Sequence, residues 1–164
     1  MPTRSRHGLS RAALLCGALL VLGAAPALAN MPNDNSDQSS CSDHSNKKNC
    51  GQLVAVKALI DQGDFAAAFK ALDAMRAAEP ESATVLTAIG YAYRKQKDYP
   101  TAMRYYDAAL ARDPNSLATL EYQGEWYVER GDMARARANL VKLARLCGEC
   151  EERDDLAQAI DGAH

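Results

Sequence analysis

The sequence predicts an all-α fold, an α-α superhelix (solenoid) of three helical hairpins closed by a C-terminal capping helix. Three observations carry this. From Gly51 onward, apolar residues recur at helical spacing. Gly or Pro interrupts them at regular intervals. The interruptions and the small residues share one period: Pro80 to Pro114, Asp64 to Asp98 to Asp132, Gly90 to Gly124, and Ala68 to Ala102 to Ala136 are each 34 residues apart. A repeat of that length is the mark of helical hairpins that stack because none can bury its apolar face alone.

The first hairpin spans about residues 50–82, turning at Gln62-Gly63-Asp64 and stopping near Pro80. The second spans 83–116, turning at Lys97-Asp98 and stopping near Pro114. The third spans 117–148, turning at Gly131-Asp132 and ending around Cys147-Gly148. Proline ends a helix because it has no N–H to donate and restricts the residue before it. Asp64, Asp98 and Asp132 stand where a helix N-terminus needs an acceptor. Gly90 and Gly124, with Ala68, Ala102 and Ala136, allow close helix approach. Leu59, Phe65 and Leu72, then Leu86, Ile89, Tyr93, Tyr106 and Leu110, then Leu120, Tyr127 and Leu140, are the expected core. Residues 151–160 read as the capping helix, with Leu156 and Ile160 on one face and acids on the other.

The residues before the hairpins are of a different kind. Arg4, Arg6 and Arg11 precede an uncharged apolar run, Ala12 to Ala25, and Pro26 and Ala27-Leu28-Ala29 follow it. That is the layout of a secretory signal cleaved between Ala29 and Asn30. The run has 14 residues, short of the roughly twenty a membrane-spanning helix needs. The expected location after cleavage is periplasmic or secreted, with no stable membrane insertion. Residues 30–49 are rich in Asn, Ser and Asp and have no apolar periodicity, so they read as a flexible leader.

Cleavage at Ala29 removes three arginines and no acid, leaving 16 basic against 21 acidic residues and a net charge of −5. Nucleic acid is not an expected partner, since phosphate binding needs a basic face.

Cleavage also leaves four cysteines: Cys41, Cys50, Cys147 and Cys150. An even number in an exported chain points to disulfides. Cys147 with Cys150 and Cys41 with Cys50 is the favoured arrangement, although four cysteines allow three pairings. A redox role for Cys147-Gly148-Glu149-Cys150 is disfavoured by Glu149, Glu151 and Glu152, which raise a thiol pKa. A metal site would draw on the same cysteines and His44, but a single C-x-x-C is weak evidence for zinc. Thiol-redox or metal handling is therefore the alternative function. No Ser-His-acid set, glycine-rich phosphate loop or paired-histidine helix is visible, so no catalytic residue, cofactor or metal is assigned. Glu121, Glu125 and Glu129 share a helix face and read as a solvated acidic surface or a binding face. Trp126 could be filler between helices or partly exposed.

These residues resemble the tetratricopeptide repeat. The second hairpin matches nearly throughout, in Leu86-Thr87-Ala88-Ile89-Gly90-Tyr91-Ala92-Tyr93, Asp98-Tyr99, Ala102, Tyr105-Tyr106, Ala109-Leu110 and Asp113-Pro114-Asn115. The third matches at Leu120, Gly124, Tyr127, Gly131-Asp132, Ala136 and Leu140 but ends in the cysteine turn. The first matches at Gly63-Asp64-Phe65, Ala68, Leu72 and Pro80, with Val56 where the pattern has glycine. Residues 139–160 also resemble small exported repeat proteins of Gram-negative bacteria. The resemblance implies a non-enzymatic module that binds a segment of another protein in a concave groove lined by the first helix of each hairpin. The outward residues there would be Lys57, Asp61, Thr87, Tyr91, Arg94, Lys95, Glu121, Glu125 and Val128. Such a groove would be basic in its middle and acidic toward its C-terminal end.

Overall fold

A computed structural model describes residues 49–163. The expected signal, the leader, Cys41 and His44 lie outside the described residues. Within them the chain forms seven α-helices and no strand. They are α1 (Cys50–Asp61), α2 (Phe65–Ala78), α3 (Ala83–Lys95), α4 (Tyr99–Arg112), α5 (Leu117–Glu129), α6 (Met133–Cys147) and α7 (Glu151–Asp161). The first six pair into the three hairpins and α7 packs on α5 and α6. The fold is the expected α-α superhelix.

Local chemistry sets the helix ends. The carboxylates of Asp64, Asp98 and Asp132 accept from the backbone N–H of Ala67, Thr101 and Arg135, capping the second helix of each hairpin. Ser82 and Ser116 cap α3 and α5 in the same way. The turn inside each hairpin needs a left-handed residue just before the capping aspartate. Gly63 and Gly131 supply it at φ 80° and 74°, and Lys97 takes the same conformation at φ 63°.

The hairpins close through residues of complementary size. Ala68, Ala102 and Ala136 have no exposed surface. In the second hairpin Tyr106 lies against Gly90: a Cβ there would come within 2.6 Å of the Tyr106 ring. In the first, Val56 and Leu72 hold the two equivalent positions, and both are buried. In the third, Leu140 stands where Tyr106 does, and the space over Gly124 is taken by Leu156 of α7. Two apolar clusters result. One joins α1, α2 and α3 around Val56, Leu72 and Ile89, and the other joins α5, α6 and α7 around Leu120, Leu143 and Leu156.

Several expected core aromatics are only half-buried. Tyr93 stacks on Tyr105 and touches Phe69, with ring centroids 5.6 and 4.8 Å apart. Tyr127 packs edge-on to Trp126 and lies beneath Arg135. Trp126 is part-buried, and its indole N–H donates to the Tyr99 carbonyl at 3.1 Å.

Candidate functional site

Helices α3, α5 and α7 begin at residues 83, 117 and 151. The cap therefore keeps the period and takes the place of a fourth first helix. Helices α1, α3, α5 and α7 together line one groove, which has two adjoining parts. An apolar hollow lies between α1, α3 and α5, walled by Leu53, Val56, Ile60, Ala88, Ala118 and Tyr122. Beside it is a polar cavity of about 290 Å³. Its walls are Lys57 from α1, Tyr91, Arg94 and Lys95 from α3, Glu121, Tyr122 and Glu125 from α5, and Glu151, Glu152 and Asp155 from α7. Lys57, Tyr91 and Tyr122 border both parts.

The expected groove residues are mostly gathered here, but several are not outward. Arg94 is only 4% exposed, and its guanidinium is forked between two carboxylates of α5. Nη1 donates to Glu129 at 2.9 Å and Nη2 donates to Glu125. Arg94 lies on the groove side of α3. Two acids 31 and 35 residues further on claim its charge. The middle of the groove is therefore not basic, and Lys95 is its exposed cation. Tyr91 is buried as well: its hydroxyl donates to Asp61 at 2.7 Å, and its ring lies 4.8 Å from that of Tyr122. Asp61 also accepts from Lys57 at 2.9 Å. Thr87 is buried, its hydroxyl 2.6 Å from that of Thr119 across α3 and α5. Val128 does not line the groove but packs against the apolar cluster of α5, α6 and α7.

Glu121 departs furthest from a solvated acidic surface. It is 7% exposed and has no hydrogen-bond partner among the described residues. Burial pushes its carboxyl up to about 9, Glu125, Asp155 and Glu152 add to the shift, and Arg94 opposes it. At neutral pH it is a protonated acid lining the cavity. Asp155 is also raised, by burial and by Glu151, Glu125 and Asp154. Burial alone would raise Asp61, but the bonds from Lys57 and Tyr91 outweigh it and hold the carboxyl below its ordinary value. Burial raises the hydroxyls of Tyr91 and Tyr122, with Asp61 and Glu121 respectively contributing.

The family model for the tetratricopeptide repeat matches residues 53–117 and 92–146, more than half of the chain. The chain belongs to the tetratricopeptide-repeat family. A search of curated proteins finds no match. Tetratricopeptide repeats point to a protein–protein interaction module, and the family generally serves as a non-enzymatic scaffold. Among the described residues, no helix is long and apolar enough to cross a membrane. No cluster of three or more His, Cys, Asp and Glu among them is arranged to hold a metal ion.

Sequence reasoning missed the acids that α7 adds to this tetratricopeptide groove. The signal was present: Asp155 follows Glu121 by 34 residues and so takes the corresponding face of the next helix. At the far end of α6, Cys147 and Cys150 are joined across the turn with their Cα atoms 5.9 Å apart. Gly148 between them has φ 69°. Cys50 opens α1 and is itself disulfide-bonded.

Proposed function

We propose that this tetratricopeptide-repeat chain is an exported adaptor, periplasmic or secreted, that binds an extended segment of another protein in its groove. Export rests on the basic, apolar and Ala-Leu-Ala layout of residues 1–29. The carrying observation is the groove itself. An apolar hollow adjoins a polar cavity, and the two share Tyr91 and Tyr122. Such a pairing suits a peptide that seats one apolar side chain and fixes its register by a polar one. Most of the affinity would come from the apolar anchor, and charge would select the partner.

The test is capture of partners from the native cell envelope with the full-length chain and two groove variants. Ala88→Arg fills the hollow, and Lys95→Glu reverses the exposed cation without touching the Arg94 ion pairs. The expected result is a specific partner that Ala88→Arg loses while keeping wild-type helicity. A partner retained by both variants would place binding elsewhere.

A further inference from the structure

The cavity holds an unused group. Glu121 is buried, lines the polar cavity and has no hydrogen-bond partner among the described residues. The fully enclosed side-chain atoms without a hydrogen-bond partner among the described residues are Arg94 Nε and Tyr106 Oη; the Glu121 carboxyl instead opens onto the cavity, and the periodicity that fixes the α5 core does not require an acid at this position. Glu152 and Asp155 face the same space from α7, and neither makes an ion pair among the described residues. On the opposite wall Arg94 is held by Glu125 and Glu129, and Lys57 is engaged by Asp61. That leaves Lys95 as the one cation of this cavity without an ion pair among the described residues, against the three acids Glu121, Glu152 and Asp155. The next space along is apolar and shares Tyr122 and Tyr91 with the cavity.

Resting on the groove reading above, we propose that the polar cavity receives a lysine or arginine side chain of the bound segment, from a residue next to an apolar one seated in the adjoining hollow. Glu121, Glu152 and Asp155 would receive the cation. The Tyr91–Tyr122 aromatic pair, whose centroids are 4.8 Å apart, would flank its aliphatic stem. A cation entering beside Glu121 favours the carboxylate, so Glu121 gives its proton to solvent as the segment binds. The charged groups facing it are Lys57 from α1, Arg94 and Lys95 from α3, Glu125 from α5, and Glu151, Glu152 and Asp155 from α7.

Two capped dipeptides test this on the full chain: N-acetyl-leucyl-lysine amide, and the same molecule with norleucine in place of lysine. Binding is followed by backbone NMR shifts and by calorimetry at pH 7 in buffers of different ionisation enthalpy. The lysine peptide is expected to bind at least tenfold more tightly, shift Glu121, Tyr122 and Asp155, and release close to one proton. The Glu121→Gln, Asp155→Asn double variant keeps the fold, loses that tenfold preference and releases no proton. Equal binding of the two peptides would overturn the cation site and leave the apolar groove standing. A partner captured through Ala88 while neither dipeptide shifts Glu121 would do the same. A tenfold gain in affinity on Lys47→Gln, Lys48→Gln would give the cavity to the chain's own leader and also overturn the proposal.

Discussion

Leu156 occupies the space that a side chain at Gly124 would need. A Cβ at position 124 would lie 2.5 Å from Leu156 Cδ2 and 2.7 Å from Cδ1. Leu156 has no exposed surface and cannot swing into solvent without leaving the core. Gly124→Ala is therefore expected to destabilise by about 1–3 kcal/mol, the usual cost of overpacking, and to act mainly by loosening α7. Hydrogen exchange checks this. Amides of α7 should lose protection while those of α1 and α2 keep theirs, and uniform loss across the chain would contradict it.

This contact shows what could be read from the sequence. The period of 34 places Gly124 at a close helix approach, because small residues at fixed intervals have no other physical reason. It does not say which helix approaches. For Gly90 it is the partner in the same hairpin, and for Gly124 it is the cap. The difference follows from position 140, where leucine replaces the tyrosine of position 106 and leaves room. The groove shows the same division. Periodicity assigns Arg94 and Glu121 to the first-helix face, because facing is a property of one helix. Their burial depends on what neighbouring helices bring, which a single helical pattern does not contain.

Arg94 is the more deeply buried member of its ion-pair group, at 4% side-chain exposure against 25% for Glu125 and 38% for Glu129. Removing either side leaves the other charge uncompensated, but the glutamates can regain water and the guanidinium cannot. The Glu125→Gln, Glu129→Gln pair should therefore cost more than Arg94→Ala, the former about 3–5 kcal/mol. Arg94→Lys should not rescue, since an ammonium cannot fork between two carboxylates. Urea unfolding of the three variants decides this, and the reverse order would mean that Arg94 is better solvated than its surroundings indicate.

Lys97 takes a backbone conformation that glycine takes at the two equivalent turns. Its φ is 63°, against 80° at Gly63 and 74° at Gly131. A left-handed residue with a Cβ costs roughly 1–2 kcal/mol, part of which glycine returns through greater freedom in the unfolded chain. Lys97→Gly is expected to raise stability by about 0.5–1 kcal/mol. Gly63→Ala and Gly131→Ala should lower it by about as much, with the binding groove unaffected. Thermal melts of the three variants suffice, and a loss on Lys97→Gly would show that its side chain makes a contact worth more than the strain.

Cys147 and Cys150 close a very short loop between α6 and α7. We expect the pair to be oxidised in protein from its native compartment, so that alkylation under denaturing conditions without reductant labels neither residue. On loop entropy alone, a loop of this size contributes about 2 kcal/mol. Cys147→Ala with Cys150→Ala should cost roughly that and loosen α7 first. Ready labelling of both thiols would revive the thiol-handling alternative.

The protonated Glu121 makes stability fall as pH rises. Its carboxyl sits at about 9 in the fold against an ordinary value of 4.5. Between those values the folded chain holds a proton that the unfolded chain has released. By linkage each pH unit then removes up to about 1.4 kcal/mol for this one group. The effect is absent below the ordinary value and complete above the raised one. Raised Asp155 adds to it in the same direction at lower pH, whereas Asp61, held below its ordinary value, acts oppositely in acid. Glu121→Gln keeps the shape and removes the titration. The variant should be about as stable as wild type near pH 5 and exceed it by up to about 4 kcal/mol near pH 8. Denaturant melts of both proteins across this range measure the difference. Parallel curves would mean that the Glu121 carboxyl titrates alike in the folded and unfolded chain.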